Sequence, residues 1–215
     1  MSEKESVLTT SIIMDALEWA YEKSLNPGIA GLDSAYELAE SYLKEKGTLE
    51  EKVDSLIRWQ IAKAGTAGFI TGLGGVLTLP ATIPANLASV YFIHIRMVAA
   101  IAIMGGYDLK DDKVQSLVFA CLCGNAFLEV LRQAGIRIGN KIAEKVVIKI
   151  SGDVIKDINK KVGFRLLTKF GEKGFINLGK AIPIVGGIVG GCVDAISTNA
   201  IGEAAKKVFI TGKIE

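Results

Sequence analysis

The chain predicts an all-α fold: one compact multi-helix domain with a glycine-rich apolar helical hairpin at its centre. Three observations carry that expectation. Apolar residues recur at three- and four-residue spacing through most of the 215 residues. The breaks between these runs carry helix punctuation, with capping boxes at starts and Gly or Pro at stops. The composition is 50% hydrophobic but only 7% aromatic, with 24 glycines. That balance suits helices whose small residues let backbones approach closely.

The first sixty residues read as amphipathic helices. Residues 6–25 place Ile13, Leu17, Ala20 and Tyr21 on one face, and Asn26-Pro27-Gly28 stops the helix. Ser34 with Glu37 is a capping box that opens a helix to about Lys46. Gly47 ends it, and Thr48 with Glu51 is a second box. The helix from Leu49 through Trp59 has no clear stop before Ala64.

Residues 61–130 are apolar core helices. No Asp, Glu, Lys or Arg lies between Lys63 and Arg96. Gly68 and Gly72, with Ala64 one turn earlier, put small residues on one helix face. Pro80 and Pro84 break that run, and a second apolar segment follows over 85–104, closed by Gly105-Gly106. Asp111 or Asp112 can cap a third helix over 114–128. The first arm has too many glycines and too few residues to span a bilayer, for which about 20 are needed. The second carries His94 and Arg96 at its centre, and a mid-bilayer Arg costs about 2.5–3.5 kcal/mol even on a lenient scale. A hairpin buried in a soluble fold is therefore expected.

Residues 131–215 are basic helices and a glycine-rich C-terminal helix. Arg137, Lys141, Lys145 and Lys149 form one cationic stripe beside an Ile138-Ile142-Val146-Ile150 stripe. The Val146-Val147-Ile148 run leaves a local strand open as an alternative. Residues 153–175 place Lys156, Lys160, Lys161 and Arg165 around Val154, Ile158, Phe164, Leu167 and Phe170, a second basic amphipathic helix. Gly186 with Gly190, and Gly187 with Gly191, repeat the small-residue spacing near the end. The net charge is −6 over residues 1–60 and +8 over 131–180, within a chain total of +2. That total gives no general case for nucleic acid.

Little catalytic chemistry is legible. His94 is the single histidine, so any Ser-His-Asp or Cys-His site must use it. It lies in an apolar helix and reads as a core histidine. One histidine cannot build a histidine-rich metal site, and Cys121, Cys123 and Cys192 lack zinc-ligand spacing. Gly72-Leu73-Gly74-Gly75 has no following Lys-Ser/Thr and is no phosphate loop. No catalytic residue, metal or cofactor is expected. Arg96, Glu129 and Asp194 are charges inside apolar stretches and must pair or be neutralised. The expected pairing is Arg96 with Glu129 or Asp194, with His94 nearby. Three cysteines without a disulfide framework, and an N-terminus without an apolar signal core, fit the cytoplasm.

The stretch AGTAGFITGLGG at 64–75, the proline-containing turn, the helix ending MGGYDL and the late KAIPIVGGIVGG and IGEAAKKVF segments resemble the EcsC family. The resemblance covers roughly residues 30–210. It implies a helical, mostly bacterial protein, and it supplies no agreed catalytic residues. Asp194 stands where the family's glycine-rich end leads us to expect an uncharged polar residue.

The leading expectation is thus a non-enzymatic EcsC-like protein that engages an anionic membrane surface or a membrane-protein partner. It would sit in the cytoplasm, peripheral to the inner membrane. Its basic 131–180 surface would attract headgroups, and its apolar hairpin would be exposed conditionally. The competing expectation is a small-ligand carrier or enzyme with a pocket near His94, Arg96 and Asp194. A third is a structural interaction module that forms homo-oligomers.

Overall fold

Thr9 starts the first helix: its hydroxyl accepts the Ile12 amide at 3.2 Å. In the computed structural model this helix, α1, spans Thr10–Leu25 and buries Ile13, Ala16, Leu17, Ala20 and Tyr21, as its apolar spacing predicts. The structure describes residues 9–28, 32–64, 85–136, 150–171 and 187–212, without the side chains of 63–64, 85–86, 89, 169–171 and 187–195. Among the described residues there are eight α-helices and no strand.

Both capping boxes form. In α2 (Ala35–Leu43) the Ser34 hydroxyl accepts the Glu37 amide while the Glu37 carboxylate accepts the Ser34 amide at 2.7 Å. In α3 (Leu49–Ala64) Thr48 and Glu51 make the same exchange. Helix α2 stops three residues before the expected Lys46. The Lys52 ammonium donates to the Leu43 carbonyl at 2.8 Å, supplying one of the partners that a helix end lacks.

Helix α4 (Ala85–Met104) has the predicted bounds. A helix that is apolar all round must be buried on every side. Accordingly α4 touches α1, α2, α3, α5 (Asp112–Cys121) and the C-terminal α8 (Gly187–Lys206). Phe92, Ile95, Met97, Val98 and Ile101 are fully buried along it. Gly105 closes the helix where a Cβ would collide with the Phe209 carbonyl oxygen. Phe209 lies in a single π-helical turn, Lys207–Thr211, and stacks edge-on against Tyr107 at 5.1 Å.

The single helix expected over 114–128 is two. Asp111 caps α5. A 3₁₀ turn, Gly124–Ala126, then re-aims the chain into α6 (Phe127–Gln133). Gly124 sits at φ +55°, and a Cβ there would lie 3.2 Å from the Ala200 methyl of α8. Glycine adopts this left-handed backbone without strain, and it leaves room for the close approach of α8.

Helix α7 (Gly152–Gly171) is the expected second basic helix. Its core stripe is Ile158, Val162 and Leu166, which packs towards α1, α5 and α6. Phe164, expected on the apolar side, is instead 63% exposed. It is two residues from both Val162 and Leu166, about 200° around the helix, so it faces away. One arm of the expected hairpin, residues 65–84, lies outside the described residues. No described helix is long and apolar enough to cross a membrane.

Candidate functional site

The polar residues predicted to meet at the centre do not form one cluster. His94 and Arg96 are two apart on α4 and therefore face different neighbours. His94 is 6% exposed and its Nε2 lies 3.0 Å from the hydroxyl of Thr198, which is fully buried in α8. Arg96 is 3% exposed and its guanidinium donates to the backbone carbonyl of Asp33 at 3.0 Å. The same guanidinium carbon stands 5.4 Å from the centre of the Phe92 ring. Burial lowers the Arg96 pKa, and the Asp33 charge works in the opposite direction. Its Nε has no partner among the described residues.

Glu129 is elsewhere. Its carboxylate accepts from the Gln133 amide at 3.0 Å and stands 4.0 Å from Arg165 of α7. The expected Arg96–Glu129 pairing is thus replaced by a surface contact between α6 and α7. The Asp194 side chain, the other expected partner, lies outside the described residues.

Two polar residues were missed. Gln60 is fully buried in α3, and neither end of its amide has a partner among the described residues. It follows Val53, Leu56 and Ile57 on the buried face, so its burial was readable from helical spacing. Thr198 lies four residues after Asp194, and three before buried Ile201. Helix α8 runs against α3 with Gly202 at Ile57 and Lys206 at Asp54.

Cys121 and Cys123 are both buried. Burial pushes the Cys121 thiol well up, which removes nucleophilic thiolate. Among the described residues no group of three His, Cys, Asp or Glu side chains could hold a metal ion.

The most open chemistry lies on α7. Lys156, Lys160 and Phe164 follow one another at four-residue steps on the face opposite the core stripe. Beside them, Lys161 stands 3.8 Å from Asp157 and Arg165 stands 4.0 Å from Glu129. A cleft of about 390 Å³ opens here, lined by Thr10, Gln133, Lys160, Lys161, Phe164 and Arg165, among others. Gly163 positions it. A Cβ there would lie 2.7 Å from Thr10 Cγ2, so glycine lets the start of α1 rest on α7. A second, shallower groove of about 590 Å³ lies between α2 and α3, beside the half-exposed Trp59.

Of the basic positions singled out in the sequence, Lys156, Lys160, Lys161 and Arg165 are thus placed on α7. Arg137, Lys141, Lys145 and Lys149 lie outside the described residues, as do Gly68, Gly72 and Gly186. Gly187, Gly190 and Gly191 fall in the first turns of α8, with their packing outside the description.

Searches of curated proteins and of solved structures each find no match. The EcsC protein family profile, by contrast, matches residues 6–211. That match spans α1 through the final π-helical turn, and the chain belongs to the EcsC family.

Proposed function

We propose that this protein is a non-enzymatic EcsC protein that associates with membranes through a basic, phenylalanine-tipped face. The observation that carries the reading is the outer face of α7. Phe164 is 63% exposed among Lys156, Lys160, Lys161 and Arg165. A ring flanked by long cationic side chains is the chemistry of an interfacial helix: the ring enters the headgroup region and the amines stay with phosphate. Each cation near an anionic surface contributes about 1 kcal/mol. A buried phenylalanine adds roughly 1.5–3 kcal/mol. Asp153 and Asp157 subtract from the first sum, so the ring is needed for stable docking.

Conditional exposure of the apolar hairpin remains part of this reading, within a limit set by magnitude. Expelling α4 would uncover at least five fully buried large side chains, of order 10 kcal/mol. That is comparable with the whole stability of a domain, about 5–15 kcal/mol. That cost argues against expelling α4; the other arm, residues 65–84, lies outside the described residues. The competing ligand pocket loses support, because His94 and Arg96 face different elements.

Co-sedimentation tests the reading. The protein is expected to pellet with anionic vesicles at low salt, to be released by high salt, and to ignore neutral vesicles. Phe164→Ala is expected to weaken pelleting by about tenfold. A protein left in the supernatant with anionic vesicles at low salt would remove the proposal.

A further inference from the structure

We infer that the cleft between α6 and α7 is a seat for one lipid headgroup of the phosphomonoester class. This deepens the membrane reading and rests on it. A diffuse basic surface attracts any anionic bilayer, whereas this cleft has walls. Gly163 lets Thr10 close one end. Helix α6 supplies Gln133 and Glu129, and α7 supplies Lys160, Lys161 and Arg165. Its volume of about 390 Å³ falls in the range of small-ligand sites, roughly 300–1,000 Å³.

The cations are held loosely. Lys161 and Arg165 stand 3.8 Å and 4.0 Å from their carboxylates, beyond hydrogen-bond distance, and both pairs are part-exposed. Their N–H groups remain available for charge-assisted bonds to phosphate oxygens, which Arg makes in bidentate geometry. Thr10, the first residue of α1, lines the same cleft.

The number of cationic donors decides the class of anion. Three cations in the cleft face Glu129 and Asp157. A phosphodiester headgroup brings one negative charge against these carboxylates. A phosphomonoester brings nearly two at neutral pH, its second ionisation lying near about 6. It also presents three terminal acceptor oxygens, one for each of Lys160, Lys161 and Arg165, where a diester presents two. Phe164 decides the source. An exposed ring at the mouth gives nothing to a soluble phosphate, but it suits the glycerol and acyl side of a lipid.

The full chain should be titrated with phosphatidylcholine vesicles carrying either phosphatidic acid or phosphatidylserine, matched for surface charge. Phosphatidic acid is expected to bind at least about tenfold tighter. Arg165→Gln should abolish that ratio. Lys156→Gln removes the same charge outside the cleft, and should weaken both lipids while leaving the ratio intact. Equal binding of the two lipids by the unaltered protein would overturn the headgroup seat and leave the membrane reading standing. No binding to either vesicle would overturn the membrane reading. Calorimetry with dihexanoyl phosphatidic acid, a soluble probe, separates the remaining cases. Heat that Arg165→Gln eliminates supports the seat. Heat that inorganic phosphate reproduces with equal affinity reassigns the cleft to a soluble anion and overturns the lipid source.

Discussion

A guanidinium that is 3% exposed has lost almost all of its hydration, and Arg96 recovers only part of it. One carbonyl and the face of Phe92 are weaker compensation than a carboxylate in ion-pair contact. Replacement by an apolar side chain of similar length should therefore cost little. Arg96→Met is expected to leave the urea midpoint unchanged or to raise it, whereas Arg96→Glu should lose about 3–5 kcal/mol. An Arg96→Met protein that unfolded at clearly lower urea would show that the contacts outweigh desolvation. The burial of Arg96 was legible, because it sits in an apolar helix. Its partner was not, because Asp33 offers a backbone carbonyl, and every residue carries one. His94 was legible as a core histidine for the same reason, and Thr198 was hidden by its small size.

At the scale of elements, signals within one turn were the most legible. Ser34 with Glu37 and Thr48 with Glu51 specify helix starts through contacts three residues apart. The backbone and side-chain donors of Ser34 and Thr48 hold both carboxylates below their ordinary value of 4.5. A lowered folded pKa means that the stabilisation is complete above the unfolded value. It is lost as pH falls through the folded one. A double Glu37→Gln, Glu51→Gln variant keeps the reach without the titration. It is expected to lose less stability than the unaltered protein between about pH 6 and pH 3, measured by thermal unfolding. Equal acid loss in the two proteins would place the sensitive carboxylates elsewhere. The break between α5 and α6 and the facing of α7 were misjudged. The break between α5 and α6 falls at Gly124, which takes a positive φ and packs against Ala200 from far along the chain. The facing of α7 was ambiguous because its apolar residues fit more than one stripe, and packing against α1, α5 and α6 selected Ile158, Val162 and Leu166.

Across the whole molecule, α8 is the closing element. It contacts α3, α4 and α5, and its Lys206 pairs with Asp54 at 2.6 Å, with both side chains partly shielded. Gly202 is the tightest of these contacts. A Cβ there would stand 2.8–3.0 Å from three carbons of Ile57, a branched side chain with little room to turn. Gly202→Ala should cost about 1–3 kcal/mol by overpacking. Hydrogen exchange should then quicken in both α3 and α8; loosening of α8 alone would count against a shared interface. The all-α architecture was readable from periodicity and punctuation. The cleft beside α7 was not, because it needs α1, α6 and α7 brought together and a glycine at their crossing.

The distance in sequence between Asp54 and Lys206 also sets an order in time. They are 152 residues apart, and a ribosome adding 5–20 residues per second needs roughly 8–30 s to cover that interval. Helix α3 therefore emerges long before the helix that covers Ile57. Among the described residues, the native neighbours of α3 that precede α8 in the chain are α2 and α4. A chain released early, before α8 is made, would leave the Ile57 face of α3 uncovered and open to chaperone capture or degradation.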